Sequence, residues 1–297
     1  MMMPLKGGRL WLLCLLWVSW VSCAEPLLWQ VDAPDSGGRA YLFGSIHFGD
    51  ESLYPLPEYV EQAFNNSDSL VVELDISAVD QAEAGYQLAL RGRLPSGVTL
   101  RDRLSEAQWQ SLKDISSGLG FSVEAFQRLQ PWLVAVQITA AQIRRSGLDE
   151  SFGIDRYMLK TFKESRPGQP IIELESFAEQ MSLFDELSDN EEASFLQQTL
   201  TEFHKAPDSL RAIMAAWKAG DEASLTALIN GAFENREDKL FQRMFSDRNA
   251  MMQEKVSARL GRGERLFVVV GAGHVVGSEG LRGLLEQEGY QVKALHP

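Results

Sequence analysis

The stretch "FVVVGAGHVVG", residues 267–277, decides the fold. Four apolar residues run into Gly271-Ala272-Gly273-His274, in a chain with only four histidines. A near-continuous apolar run bounded by glycine reads as a strand buried on both faces, as in an α/β sheet. The chain makes a second phrase of the same kind near its other end. In "YLFGSIHFG", residues 41–49, Gly44 precedes His47 by three positions, as Gly271 precedes His274. Two G-x-x-H phrases, each after an apolar run, predict one site built from both ends of the chain.

Working outward, four runs read as strands: 40–43, 69–74, 170–174 and 266–271. Segment 56–68 has helical spacing between the first two, which makes a β-α-β unit and a parallel crossover. Segment 131–147 opens with proline and closes with two arginines and glycine, start and stop signals of a helix. Further helices are predicted at 105–116, 122–129, 152–163, 176–187, 191–202, 208–218, 221–231, 234–260 and 277–290, with a last strand at 291–295. The expected fold class is α/β: a central, mostly parallel sheet with helices on both faces and a long helical insertion.

The composition bounds the function. The 297 residues carry a net charge of −13, which argues against a sequence-independent grip on nucleic acid. Lys6 and Arg9 precede an apolar stretch at 10–21, too short to span a bilayer and shaped like a secretory leader. Ser22 and Ala24 suit cleavage after Ala24, so 1–24 reads as a signal peptide and 25–297 as one domain. Export to the periplasm or to the medium is expected; lipid attachment at Cys23, with the protein close to the membrane, is the alternative. Cys14 and Cys23 are the only cysteines and both lie in this leader. A metal in the mature protein therefore falls to His, Asp, Glu or backbone oxygen.

On the predicted strands, the polar residues collect at the carboxyl ends, where open α/β sheets place their sites. His47 follows the first, Glu73 and Asp75 end the second, Glu173 and Glu175 end the third, and His274 follows the last. Period-two alternation puts Glu73 and Asp75 on one face, and likewise Glu173 and Glu175. Gly44, Gly271 and Gly273 permit positive φ and lack a Cβ, so they are expected to set the histidines close above the sheet edge. Two imidazoles with carboxylates suit a divalent cation such as Mn, Co, Zn or Fe. His204 and His296 read as exposed, and each G-x-x-H taken alone is compatible with a structural, hydrogen-bonded histidine.

These motifs resemble the TraB/PrgY/GumN family, which includes the Tiki metalloproteases. The resemblance rests on "YLFGSIHFG", "SLVVELD", "GID" (153–155), "IIELES" followed by Gln180, "DRNAMM" (247–252) and "VVVGAGHVVGSEGLRGLLEQEGY". The family often shows E-R-N where this chain has D-R-N. The resemblance implies a fold of the erythromycin-esterase/ChaN-like kind. It implies a metal held by His47 and His274, with Glu73 as the carboxylate partner. It points to a peptide or protein substrate. In the mechanism that follows, Glu175 or Glu173 takes a proton from a polarised water and Asn249 orients substrate. Arg248 either faces the developing oxyanion or makes a structural salt bridge to a rim carboxylate. Gly153 and Asp155 support one histidine. Two other classes stay open: a protein that sequesters a peptide without cleaving it, and an iron or haem binder of the ChaN-like type.

Overall fold

The computed structural model describes residues 25–231 and 239–295. The leader, both cysteines and His296 lie outside them. The apolar runs form one six-stranded sheet: β1 (Leu28–Asp32), β2 (Arg39–Ser45), β3 (Ser69–Val72), β4 (Ile172–Glu173), β5 (Arg265–Gly271) and β6 (Gln291–Leu295). Their order is β4-β3-β5-β2-β1-β6. β4, β3, β5 and β2 run parallel, whereas β1 is antiparallel to both β2 and β6. The sheet is therefore mixed and mostly parallel. The four apolar runs read from the sequence are its four parallel members, the last strand expected at 291–295 is β6, and β5 lies between β2 and β3. This order brings the carboxyl ends of strands from both ends of the chain to one edge. Gly44 stands opposite Val270, and Ser45 opposite Gly271.

Helices cover the sheet: α1 (Glu58–Asn65), α2 (Gln81–Arg91), α3 (Glu106–Gly118), α4 (Pro131–Arg145), α5 (Ile154–Ser165), α6 (Phe177–Asp185), α7 (Asp189–Glu202), α8 (Ala206–Lys218), α9 (Glu222–Gly231), α10 (Lys239–Phe241), α11 (Asp247–Leu260), α12 (Ala272–Val275) and α13 (Leu281–Glu288). Phe43 and Phe267 point to one face, where rings from α1, α5 and α8 meet them. Phe43 lies 6.0 Å from Trp217, Phe267 lies 5.5 Å from Phe64, and Phe64 lies 6.2 Å from Phe162, between ring centres. The alternate positions Leu266, Val268 and Val270 are equally buried, so the other face is covered as well. Met252, Val256 and Leu260 of α11 and Leu281 and Leu285 of α13 belong to the same apolar core. Burial of β-branched and aromatic side chains on both faces is the main driving force here, at roughly 1.5–3 kcal/mol per large side chain.

The helical insertion is interrupted by β4. Helices α2 to α5 precede that strand, and α6 to α10 follow it. Leu112 and Ile115 of α3, Val134 and Ile138 of α4, and Leu196 and Leu200 of α7 close a second apolar core within the insertion.

Four local expectations are corrected. Segment 122–129 forms only the 3₁₀ turn Val123–Phe126. β1 and α2 join the elements read from the sequence. Of the helix expected over 234–260, residues 234–238 lie outside the described residues, and the rest contains a π-turn, Gln242–Ser246, directly before α11. β3 ends at Val72 and β4 at Glu173, so strand alternation does not extend to Glu73, Asp75 and Glu175.

Candidate metal centre

The site is assembled where β2, β3, β4 and β5 end. Gly271 caps the short helix α12 with φ −50°, and Gly44 and Gly273 likewise lack positive φ. The glycines serve close approach rather than an unusual backbone turn, which corrects the first expectation. A Cβ on Gly271 would stand 3.2 Å from Glu73 Oε1, 3.5 Å from His47 Nε2 and 3.6 Å from His274 Cδ2. Three donor side chains thus converge on the bare Cα hydrogens of Gly271. A Cβ on Gly44 would crowd Ala272 Cα at 3.1 Å, so glycine there lets α12 sit against β2.

Each imidazole is oriented through its Nδ1. Asp155, in the first turn of α5, lies with Oδ2 2.8 Å from His47 Nδ1, while Ser45 Oγ donates to its Oδ1 at 2.7 Å. Burial works to raise the Asp155 carboxyl. The His47 ring and the two hydrogen bonds outweigh that, and its pKa lies below the usual value. An ionised carboxylate only accepts, so Nδ1–H of His47 donates and Nε2 is left facing Glu73 and Gly271. Asp155 raises the pKa of His47 to about 9, although the ring is 60% exposed.

His274 is buried and neutral. Desolvation brings its pKa down to about 4. Asn249 Nδ2 donates to the Glu279 carbonyl at 2.8 Å, which fixes the amide, so Oδ1 accepts from His274 Nδ1–H at 2.6 Å. Nε2 of His274 then carries its lone pair, 4.0 Å from Glu73 Oε1. Phe245, in the π-turn, lies over the same ring at 5.2 Å between centres.

Glu73 is the central carboxylate. Its Oε1 accepts from Gly271 N–H at 2.5 Å and its Oε2 from Arg248 Nη2 at 3.0 Å. Burial opposes ionisation, but His274, His47, Arg248 and the Gly271 amide keep its pKa below the usual value. Arg248 is clamped by Glu175, Nε to Oε1 at 2.7 Å and Nη2 to Oε2 at 2.6 Å. Gln180 Nε2 adds a bond to Glu175 Oε2 at 3.1 Å.

The expected residues therefore separate. His47, Glu73, His274, Gly271, Arg248, Glu175 and Asn249 come together. Asn249 reaches the site through His274, not as a substrate contact. Glu173 does not join: it is exposed, and its Oε1 accepts from Asp75 N at 2.8 Å. Asp75 turns to Lys163 at 2.9 Å. The reason is the early end of β3 and β4: past it the chain curls, and Glu73 and Asp75 leave in different directions. Ser45, Phe245 and Gln180 were given no role from the sequence. Ser45 had a signal, since it stands two positions before His47 at the end of β2. The π-turn that places Phe245 left none.

This geometry defines a class: an α/β protein whose imidazole–carboxylate centre sits at the carboxyl edge of the sheet and draws on both ends of the chain. The chain belongs to the TraB/PrgY/gumN family, whose model matches residues 27–294. It is 31% identical over 256 residues to YbaP of Escherichia coli (strain K12), covering 86% of this chain and 91% of that protein. YbaP of Shigella flexneri matches to the same extent. It is also 25% identical to the metalloprotease TIKI2 of Danio rerio over 327 aligned positions, 91% of this chain and 61% of that protein. No solved structure matches the chain; the erythromycin-esterase/ChaN-like kinship is left as an expectation.

Proposed function

We propose that this chain is an exported metal-dependent hydrolase that cleaves peptides. One observation carries the reading: His47 Nε2, His274 and Glu73 Oε1 gather around Gly271, with no side chain of that residue between them. Each imidazole offers its Nε2 because its Nδ1 is held by Asp155 or Asn249. A histidine whose far nitrogen is held by a carboxylate or amide is the usual form of a metal ligand. His274 Nε2 carries a lone pair, and His47 Nε2 gains one when its proton is given up, so a cation can take that proton's place beside Glu73. The distant likeness to a metalloprotease supports the same chemistry.

The donors fit a divalent cation in kind and direction. Among the described residues they do not stand as a closed ligand group, since Glu73 leans on Arg248 and on the Gly271 amide. His47, His274 and Glu73 would hold the ion, which when bound supplies a Lewis acid and an acidified water. The remaining work belongs to the chain. Asp155 and Asn249 keep the two Nε2 atoms aimed. Glu175 holds Arg248 in place, and both its oxygens already accept hydrogen bonds, so it is poorly placed as a base. Glu73 is held in the same way, by the Gly271 N–H at Oε1 and by Arg248 at Oε2, and its part is that of a ligand. One N–H on Arg248 Nη1 has no partner among the described residues and suits a developing oxyanion.

The Arg248–Glu73 ion pair favours a second reading, a protein that binds a peptide without cleaving it. The test separates them. Metal analysis of the purified chain is expected to find a bound divalent ion that His47→Ala and His274→Ala both lose. A peptide library is expected to be cleaved, with cleavage stopped by chelator and restored by metal. Retained metal and activity in both variants would overturn the proposal. Bound peptide without cleavage at any metal would establish the second reading.

A further inference from the structure

A cavity of about 990 Å³ opens along α5, the helix whose first turn carries Asp155. Its apolar part is built by Tyr54, Phe152 and Tyr157. The two tyrosine rings pack at 4.8 Å, and Tyr54 Oη donates to the Phe152 carbonyl at 2.9 Å. Its charged lining is three cations, Arg156, Lys160 and Lys163, and one carboxylate, Glu164. Positions 152, 156, 160 and 163 recur at helical spacing, so cations and apolar wall share one face of α5 and its entry.

The wall of this cavity also buttresses the metal centre. Ile154 N–H donates to the Ile46 carbonyl at 3.0 Å, and a Cβ on Gly153 would strike the His47 carbonyl oxygen at 2.4 Å. Asp155, next to Arg156, is the His47 partner. On the far wall, Ile76 lies three residues after Glu73. A chain lying in the cavity therefore borders the segments that carry His47 and Glu73.

The charges select its occupant. Lys163 is satisfied by Asp75, a largely buried carboxylate at 2.9 Å. Arg156 and Lys160 are different. Their partners Glu150 and Glu164 are exposed, at 3.1 Å and 3.9 Å, and exposed pairs of this kind contribute little. A substrate carboxylate can take their place at small cost. Arg156 and Lys160 thus offer two exchangeable cations beside an aromatic floor. We infer that this cavity is the specificity groove of the proposed peptidase and takes a peptide segment with a large apolar side chain followed by an acidic one. The inference rests on the peptidase reading for its role in cleavage, but not for binding.

The test measures binding to chelator-treated protein by fluorescence anisotropy. The probes are fluorescein-labelled Gly-Phe-Glu-Glu-Gly, Gly-Phe-Lys-Lys-Gly and Gly-Ala-Glu-Glu-Gly. The first is expected to bind at least about tenfold tighter than either of the others, a difference of about 1.4 kcal/mol. The double variant Arg156→Glu/Lys160→Glu is expected to reverse the preference between the glutamate and lysine probes. His47→Ala is expected to keep the selectivity while losing cleavage. Selective binding without cleavage by the wild-type chain would leave the groove standing and remove the peptidase. Cleavage of the glutamate and lysine peptides at equal rates, or an unchanged preference in the double variant, would overturn the groove.

Discussion

His47 and His274 face the same carboxylate and respond to protons in opposite ways. The pKa of His47 is raised from 6.5 to about 9, chiefly by Asp155. Its contribution to stability is fully present below pH 6.5 and is lost as pH rises from there through 9, because the folded state binds the extra proton. The pKa of His274 is lowered to about 4 by burial. Here the unfolded chain binds the extra proton, so stability is lost as pH falls from 6.5 towards 4. Denaturant unfolding of metal-free protein is therefore expected to show highest stability near pH 6.5. His274→Asn should flatten the acid limb and His47→Gln the alkaline limb. The alkaline effect is the smaller, since water screens the exposed His47 ring. Unchanged limbs in both variants would refute this assignment. The same proton at His47 competes with a cation, so metal affinity should rise with pH towards 9.

At the scale of elements, the four parallel strands were legible because each is a short apolar run, and in β2, β3 and β5 that run is covered on both faces. β1 was not, because its "LWQVD" run is interrupted by Gln30. α2 was hidden by a polar surface, with Tyr86 and Leu90 left exposed. The two G-x-x-H phrases and Glu73 could be placed from strand ends alone. Glu173 could not be separated from Glu175, because that depends on where β4 stops. The π-turn before α11 is the least legible element, and it is the one that sets Phe245 against Gly273. A Cβ on Gly273 would lie 2.7 Å from Phe245 Cε1. Gly273→Ala is therefore expected to destabilise by about 1–3 kcal/mol through overpacking, with no contribution from backbone strain. Phe245→Ala should itself cost stability, yet in the double variant part of the Gly273→Ala penalty should disappear. Urea melts of the four proteins measure this coupling, expected at about 0.5–3 kcal/mol. Strict additivity would show that the ring and the glycine do not meet.

For the whole molecule, the sheet order matters most. β5 comes from the end of the chain and sits between β2 and β3, which come from its beginning. His47 and His274 are thus joined across one sheet edge, with the helical insertion looped out between them. The unfolded chain has no such juxtaposition, since hundreds of ångströms of flexible chain can separate the two rings. A cation held by both histidines and Glu73 therefore binds the folded state almost alone, and its binding free energy adds to stability. At a free concentration of 100 times its Kd the gain is about 2.7 kcal/mol, and each further tenfold adds about 1.4 kcal/mol. The thermal midpoint of chelator-treated protein is expected to climb steadily as Mn, Co or Zn is added. His47→Ala should remove the climb while starting from a similar midpoint, because its ring is exposed and contributes little to the core. Asp155→Asn should keep the climb but move it to higher metal concentration, since it weakens the hold on His47 without deleting a donor. A wild-type midpoint that ignores all three metals would mean that the two ends of the chain meet at this edge for structural reasons alone, with Arg248 and protonated His47 supplying the positive charge beside Glu73.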